Sequence, residues 1–129
     1  MNIVIVGTGY VGLVTGVGFA EQGHSVSFID LDSSKIEKLK NKQLPFFEPD
    51  LDTYFSNKEN FNRMSFHSSY NSLNWDESEI VFICVQTPNN IETNSVDTKF
   101  LESAISEISK LNNKEIVITV KSTIPPYEI

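Results

Sequence analysis

The first dozen residues constrain this chain more than any other stretch. A short apolar run, Ile3–Val6, passes directly into Gly7-Thr8-Gly9-Tyr10-Val11-Gly12 and from there into a segment of helical character. A G-x-G-x-x-G string alone is a weak signal, but behind a strand and ahead of a helix it has a specific use. Gly7 permits the tight turn out of the strand, and Gly9 has no side chain to hold a pyrophosphate off the backbone. Gly12 lets helix and strand pack closely. The unpartnered amides of the first helical turn, with the positive end of the helix dipole, then form an anion site.

Eighteen residues after Gly12, Asp30 ends a second apolar run, Val26–Ile29. That is close to the spacing of an acid that accepts hydrogen bonds from an adenosine ribose, each worth about 1.5–3 kcal/mol. The same charge opposes a 2′-phosphate by about 4 kcal/mol per unit charge, at a separation of about 4 Å and an effective dielectric near 20. The pair of signals predicts NAD over NADP, with Lys35, one turn into the next helix, as a partial offset.

Two further apolar runs, Ile80–Val85 and Ile116–Val120, complete a set of four. All four are continuous rather than alternating, which suits strands of a parallel sheet covered on both faces. Helical periodicity separates them. Leu101, Ala104, Ile105, Ile108 and Leu111 form one stripe of a helix over 100–111 with Asp97 as its N-cap. A helix over 13–22 closes at Gly23, placed for a left-handed C-cap, and another over 34–40 follows Asp32-Ser33. Gly16 and Gly18 inside the first helix read as close packing of helix on sheet. Residues 51–55 suggest a short helix and 63–67 a weaker strand. Strands alternating with helices imply an α/β fold of Rossmann type, a doubly wound, mainly parallel sheet with helices on both faces, in one NAD-binding domain over residues 1–129.

Composition narrows the function classes. Asp plus Glu number 17 against 10 Lys plus Arg, a formal net charge of −7. An acidic surface without a basic cluster excludes nucleic acid or an anionic membrane as the main partner. The start of the chain has no basic, long apolar leader, and its apolar runs fall short of the roughly 20 residues of a membrane span. A single cysteine, Cys84, fits a reducing compartment. The expected location is the cytoplasm.

With these motifs placed, the sequence resembles the UDP-glucose/GDP-mannose dehydrogenase family. Gly7–Leu13 with Thr15-Gly16 is similar to the family's opening signature, and Phe19-Ala20-Glu21 and Gly23-His24 follow in step. Asp30-Leu31-Asp32 with Lys35-Ile36 matches its second strand and helix. Phe47-Glu48-Pro49-Asp50-Leu51 is similar to the family's Y-E-P-G-L with Asp50 in place of glycine. Val85-Gln86-Thr87-Pro88 resembles V-x-T-P, and Lys121-Ser122-Thr123-Ile124-Pro125-Pro126 resembles K-S-T-V-P-P.

The resemblance implies a dehydrogenase of two Rossmann-like domains joined by a long helix. Such an enzyme oxidises the C6 alcohol of a nucleotide-linked hexose to the carboxylate with two NAD, and is a homo-oligomer when complete. It implies NAD contacts at Gly7, Gly9, Tyr10, Val11, Gly12, Asp30, Lys35, Thr87 and Thr123, with a supporting catalytic role for Thr123. No metal is implied. The family's cysteine nucleophile, lysine, asparagine and acids lie downstream of K-S-T-x-P-P, so residues 1–129 are expected to bind NAD without turnover. Tyr127 stands where the family usually has glycine.

Cys84, between Ile83 and Val85 with no base nearby, reads as a mid-strand small hydrophobe with a raised pKa rather than a nucleophile. His24 and His67 lack a partner at metal-ligand spacing and read as surface histidines. Phe46 and Phe47 read as covers for the core. Two other readings share the glycine loop and the acid: an NAD-sensing module of a potassium transport system, and the cofactor half of a 3-hydroxy acid dehydrogenase. Neither is expected to combine Phe47-Glu48-Pro49, Thr87-Pro88 and Lys121-Ser122-Thr123.

Overall fold

A computed structural model describes residues 1–112 and 114–126. The elements run β1 (Asn2–Val6), α1 (Tyr10–Glu21), β2 (Ser25–Ile29), α2 (Ser33–Lys40), α3 (Leu51–Ser56), α4 (Lys58–Asn62) and β3 (Met64–His67). Two single 3-10 turns follow (Tyr70–Ser72 and Trp75–Glu77), then β4 (Ile80–Ile83), a hairpin of β5 (Asn89–Asn90) and β6 (Ser95–Val96), α5 (Lys99–Leu111) and β7 (Val117–Val120). Five strands form one sheet in the order β3-β2-β1-β4-β7, every neighbouring pair parallel. The chain moves outward from β1 through β2 to β3, then crosses back to β4 and moves outward the other way. Ligand crevices of open α/β sheets form at the carboxyl ends of the strands where the order reverses, which here is between β1 and β4.

The alternation within each strand divides the core into two. Ile3 and Ile5 of β1, with Val26 and Phe28 of β2, pack against Leu13, Val17 and Ala20 of α1 and against α2 and α3. On the opposite face Val4, Val6, Ile29, Val81 and Ile83 pack against Leu101, Ala104 and Ile108 of α5 and against Tyr70 and Trp75. Continuous apolar strands are therefore covered on both sides, as expected of β1, β2 and β4. At the sheet edge β7 departs from that reading: Val117, Ile118 and Val120 are exposed.

Glycines 16 and 18 behave differently. A Cβ on Gly16 would stand 2.3 Å from the Phe28 ring, so helix and sheet meet there as expected. Gly18 is exposed with nothing within 4 Å of a built Cβ, and the close-packing reading of that position is wrong. The turn at Gly23 has the expected positive φ, +95°.

Helix α1 begins at Tyr10, three residues earlier than its apolar spacing suggested, because the glycine loop is itself the start of the helix. The N-cap of α5 is Thr98 rather than Asp97, whose Oδ1 instead accepts from Lys99 N at 3.0 Å. Phe46 packs on the first core as expected, but Phe47 is 89% exposed and covers nothing. Tyr127 lies outside the described residues.

Asp50 adopts φ +66° at the start of α3 and makes no side-chain cap there. An L-residue in the left-handed region costs roughly 1–2 kcal/mol, a penalty glycine escapes. Asp50→Gly is expected to raise stability by about 0.5–1 kcal/mol once glycine's greater unfolded-state freedom is deducted. Urea unfolding measures this, and an unchanged or lower midpoint would contradict it.

Candidate functional site

At the carboxyl end of β1 the chain turns through Gly7, whose φ of +100° and close approach to Cys84 O (2.7 Å from a built Cβ) admit no side chain. Gly7 N donates to Ile29 O at 2.8 Å, drawing the loop against the end of β2. Thr8 is fully buried and is the hinge of the site. Its backbone N and its Oγ1 donate to Asp30 Oδ2 at 3.0 and 2.6 Å, while Asp32 N donates to Oδ1 at 2.9 Å. The Asp30 backbone is fixed as well, with its N donating to His67 O at 3.0 Å. The carboxylate at the tip of β2 is thus preset in one orientation by the loop it faces.

Gly9 is the N-cap of α1, no side chain caps the helix, and the space above Gly9 is open to 4 Å. Amides of a first helical turn have no acceptor within the helix, so an uncapped start beside a bare glycine is left for an anion. Gly12 has another duty: it is buried, and its Cβ would fall 1.9 Å from Gly7 O.

A cavity of about 330 Å³ opens over this corner, lined by Gly7, Thr8 and Gly9, by Asp30 through Asp32 with Lys35, and by Tyr70, Cys84 and Phe100 among others. Asp32 is the N-cap of α2; bonds from the Ser34 hydroxyl and from the Lys35 and Ser34 amides hold its carboxyl below the usual range. Other predicted residues stand outside the cavity wall. Tyr10 is exposed, its hydroxyl donating to Glu48 Oε1 at 3.0 Å and its ring 5.8 Å from that of Phe46; Val11 is exposed beside it. Thr87 and Thr123 are brought together, but through a bond of Thr87 Oγ1 to Thr123 O at 2.7 Å. Ser122 Oγ similarly donates to Val85 O at 2.7 Å, so the two loops beyond β4 and β7 are stitched to each other.

These features fit a dinucleotide. The cradle is bare at Gly9, the helix start is uncapped, and an oriented carboxylate stands at the end of the neighbouring strand. The sequence model of the UDP-glucose/GDP-mannose dehydrogenase family, NAD binding domain, matches residues 1–128. The chain belongs to this family, as its NAD-binding domain.

A UDP-glucose 6-dehydrogenase of Rickettsia bellii is 42% identical over 126 residues, which cover 98% of this chain and 29% of that protein. Among solved structures, a UDP-glucose dehydrogenase from Pyrobaculum islandicum aligns with a TM-score of 0.87 at 30% identity, over 97% of this chain and 29% of the other. A GDP-mannose dehydrogenase from Pseudomonas aeruginosa aligns with the same TM-score at 29% identity, over 98% and 29%. The chain therefore spans under a third of the length of each of these three relatives. Membership of this family sets aside the transport-module and 3-hydroxy acid readings.

The family's motifs map onto the fold. Asp50, in place of the motif's glycine, is the left-handed residue before α3. Cys84 is not mid-strand but one residue past β4, where its N donates to Val6 O at 2.8 Å and its side chain forms part of the cavity wall. Burial pushes its thiol up to about 11 against the opposing pull of Lys121. Alkylation at pH 8 is accordingly expected to be slow, rising roughly tenfold per pH unit to about pH 10. A mass-spectrometric rate profile that was flat or levelled near pH 8 would contradict this.

His67 is half-buried rather than at the surface, hydrogen-bonded to Ser65 Oγ and Ser72 Oγ, each at 3.0 Å. Burial, then Lys40, lowers its pKa. Sequence reasoning missed Thr8, Tyr70, Phe100 and Ser103. Thr8 carried a signal, being the one polar side chain inside the loop that an acid at the end of β2 can reach.

Among the described residues no group of His, Cys, Asp and Glu is arranged to hold a metal, and no helix is long and apolar enough to cross a membrane.

Proposed function

We propose that this chain is the cofactor half of a dehydrogenase that oxidises the C6 alcohol of UDP-glucose, or a related UDP- or GDP-linked hexose, to the uronate with two NAD. The Asp30 carboxylate, locked by Thr8 and aimed into the crevice beside an uncapped helix start, is the observation that carries the cofactor part. The substrate part is supported by the names of relatives at about 40% identity.

In this reading the amides of the Gly7–Gly12 loop, including those of Tyr10 and Val11, bind the pyrophosphate. Asp30 accepts from the adenosine ribose, and Lys35 balances the charge of Asp30 and Asp32. Thr87 and Thr123 hold the far end of the cofactor from the stitched loops, with Thr123 in a supporting role toward the reacting centre. NAD, when bound, supplies the hydride acceptor. This chain's residues orient it and exclude the 2′-phosphorylated form.

Among the described residues no base is hydrogen-bonded to the Cys84 thiol, which burial pushes up to about 11, so in this reading the 129-residue chain alone binds NAD without turning over a sugar. A second, substrate-binding domain after a connecting helix completes the enzyme, a cytoplasmic homo-oligomer. Calorimetric titration with NAD and NADP tests the cofactor part. NAD is expected to bind at least about tenfold more tightly, as the Coulomb opposition of Asp30 requires. Equal affinities would remove the role given to Asp30, and sugar oxidation by these 129 residues would contradict the division of labour.

A further inference from the structure

The sheet has two edges, and only one of them is blunted. At the β3 edge Met64 and Phe66 are each 8% exposed and turned into the first core. At the β7 edge Val117 is 60%, Ile118 37% and Val120 41% exposed, and among the described residues no strand lies beyond it. An apolar edge with free backbone groups is a template for another strand, and natural sheets interrupt one with a charge, a proline or a bulge. No charge or proline interrupts Ile116-Val117-Ile118-Thr119-Val120.

Three features of this edge agree on one partner. The first is the backbone. Val117 N donates to Glu79 O at 3.4 Å and Lys121 N to Ile83 O at 2.8 Å, so the odd positions bond to β4. Ile116, Ile118 and Val120 therefore direct their N–H and C=O groups away from the sheet. The second is the side chains. The register sets Ile118 beside Val81 and Val120 beside Ile83, on the face of the second core, against which Ile116 also packs. The third is charge. Glu115 stands three residues before Ile118 and Lys121 three residues after it, both exposed, and among the described residues neither is drawn into an ion pair.

We infer that β7 pairs antiparallel with β7 of a second copy of this chain, about a two-fold axis at Ile118. In that register Ile118 exchanges both backbone bonds with its own copy, and Ile116 does so with Val120 of the second copy on either side, so every outward group is used. The side chains facing one another over the second core are then all apolar. Glu115 of each copy stands opposite Lys121 of the other, at both ends of the ladder. In-register parallel pairing would instead set acid against acid and base against base, and a slip along the strand would part them. The strand is complementary to itself, which a second copy requires and an unrelated chain does not. The inference is independent of the cofactor reading.

The formal net charge of −7 opposes the approach of two copies, but at physiological salt it is screened beyond about 8 Å and the facing pairs decide. A strand of four residues buries less than the about 800 Å² per partner of a standard interface, so the expected dimer is weak, with a Kd on the order of 10–100 µM. Sedimentation equilibrium from about 5 to 500 µM brackets that value and is expected to show monomer passing to dimer. Lys121→Glu sets carboxylates opposite each other at both ends and is expected to weaken the dimer at least about tenfold, as is Glu115→Lys with ammonium groups. Glu115→Lys/Lys121→Glu rebuilds both pairs with their signs exchanged and is expected to return the Kd to within about threefold of the parent. Ile118→Lys sets two cations against each other at the axis and is expected to leave a monomer. All three side chains are exposed in the single chain, and urea midpoints report whether each variant is folded. A parent chain that stays monomeric throughout gives the edge to a different occupant and overturns the inference. A dimer indifferent to Ile118→Lys or to the single reversals forms elsewhere on the surface and overturns it equally. A double exchange that fails to restore the dimer overturns the register at Ile118.

Discussion

Gly12→Ala is expected to destabilise the fold by about 3 kcal/mol and to abolish measurable NAD binding. The added methyl would lie 1.9 Å from Gly7 O, 3.0 Å from Gly7 C and 3.3 Å from Ile5 Cγ2. Two of those three atoms are backbone, so no rotamer change makes room. Either α1 lifts from β1 or the loop opens, and each movement breaks the Gly7 N bond to Ile29 O that seats the anion site. Helix propensity points the other way: alanine is preferred to glycine in a helix by about 1 kcal/mol. The sign of the result therefore separates the two effects. Gly18→Ala is the matched control, in the same helix but exposed, with nothing within 4 Å, and it is expected to stabilise by about 0.5–1 kcal/mol. Urea midpoints and an NAD titration on both variants give the answer. A Gly12→Ala chain as stable as its parent would mean that helix and loop are not packed as described.

The contrast between these glycines marks how far the sequence could be read. Gly7, Gly9 and Gly12 were legible because their spacing encodes a turn, an open cradle and a close contact in a fixed order after a strand. Gly18 was not, because a glycine on the outer face of a helix has the same one-letter signature as one pressed against a sheet. The four main strands were legible from continuous apolar runs, and Asp30 from its distance to the loop. What escaped depended on long-range partners. Tyr70 and Phe100 come from segments 40 residues and more beyond Asp30 and meet it only across the sheet's carboxyl edge. Phe47 was misread since an aromatic between prolines gives no indication of which way it faces. The two-residue strands β5 and β6 are too short for any periodicity to register. Thr87 and Thr123 were singled out one by one, and the bond that links them runs hydroxyl to carbonyl, an arrangement no spacing rule encodes.

Two substitutions at Asp30 are expected to separate its structural duty from its discriminating one. In Asp30→Ala the buried Thr8 loses the acceptor of both its N and its Oγ1, and Asp32 N loses its partner as well. A buried donor left unmade costs about 1–3 kcal/mol, so the loss for the Thr8 pair is about 2–6 kcal/mol. Affinity for NAD is expected to fall by about 10–150-fold as the ribose acceptor disappears. Asp30→Asn keeps the shape and one carbonyl oxygen to accept from Thr8, while its amide nitrogen, a donor, replaces the acceptor of the exposed Asp32 N. Its stability is expected to lie about 1 kcal/mol below the parent, the cost of that one exposed bond. What Asp30→Asn removes is the charge, and with it the Coulomb term against a 2′-phosphate. Its preference for NAD over NADP is expected to shrink by at least about tenfold. Paired urea and calorimetric measurements on both variants check each half. If Asp30→Asn kept the full NAD preference, the discrimination would have to reside in shape, with the crevice beside Leu31 and Lys35 too narrow for the extra phosphate. If Asp30→Ala were as stable as Asp30→Asn, the Thr8 bonds would not be what presets the carboxylate. The two variants together therefore decide whether one side chain both orders the loop and chooses the cofactor.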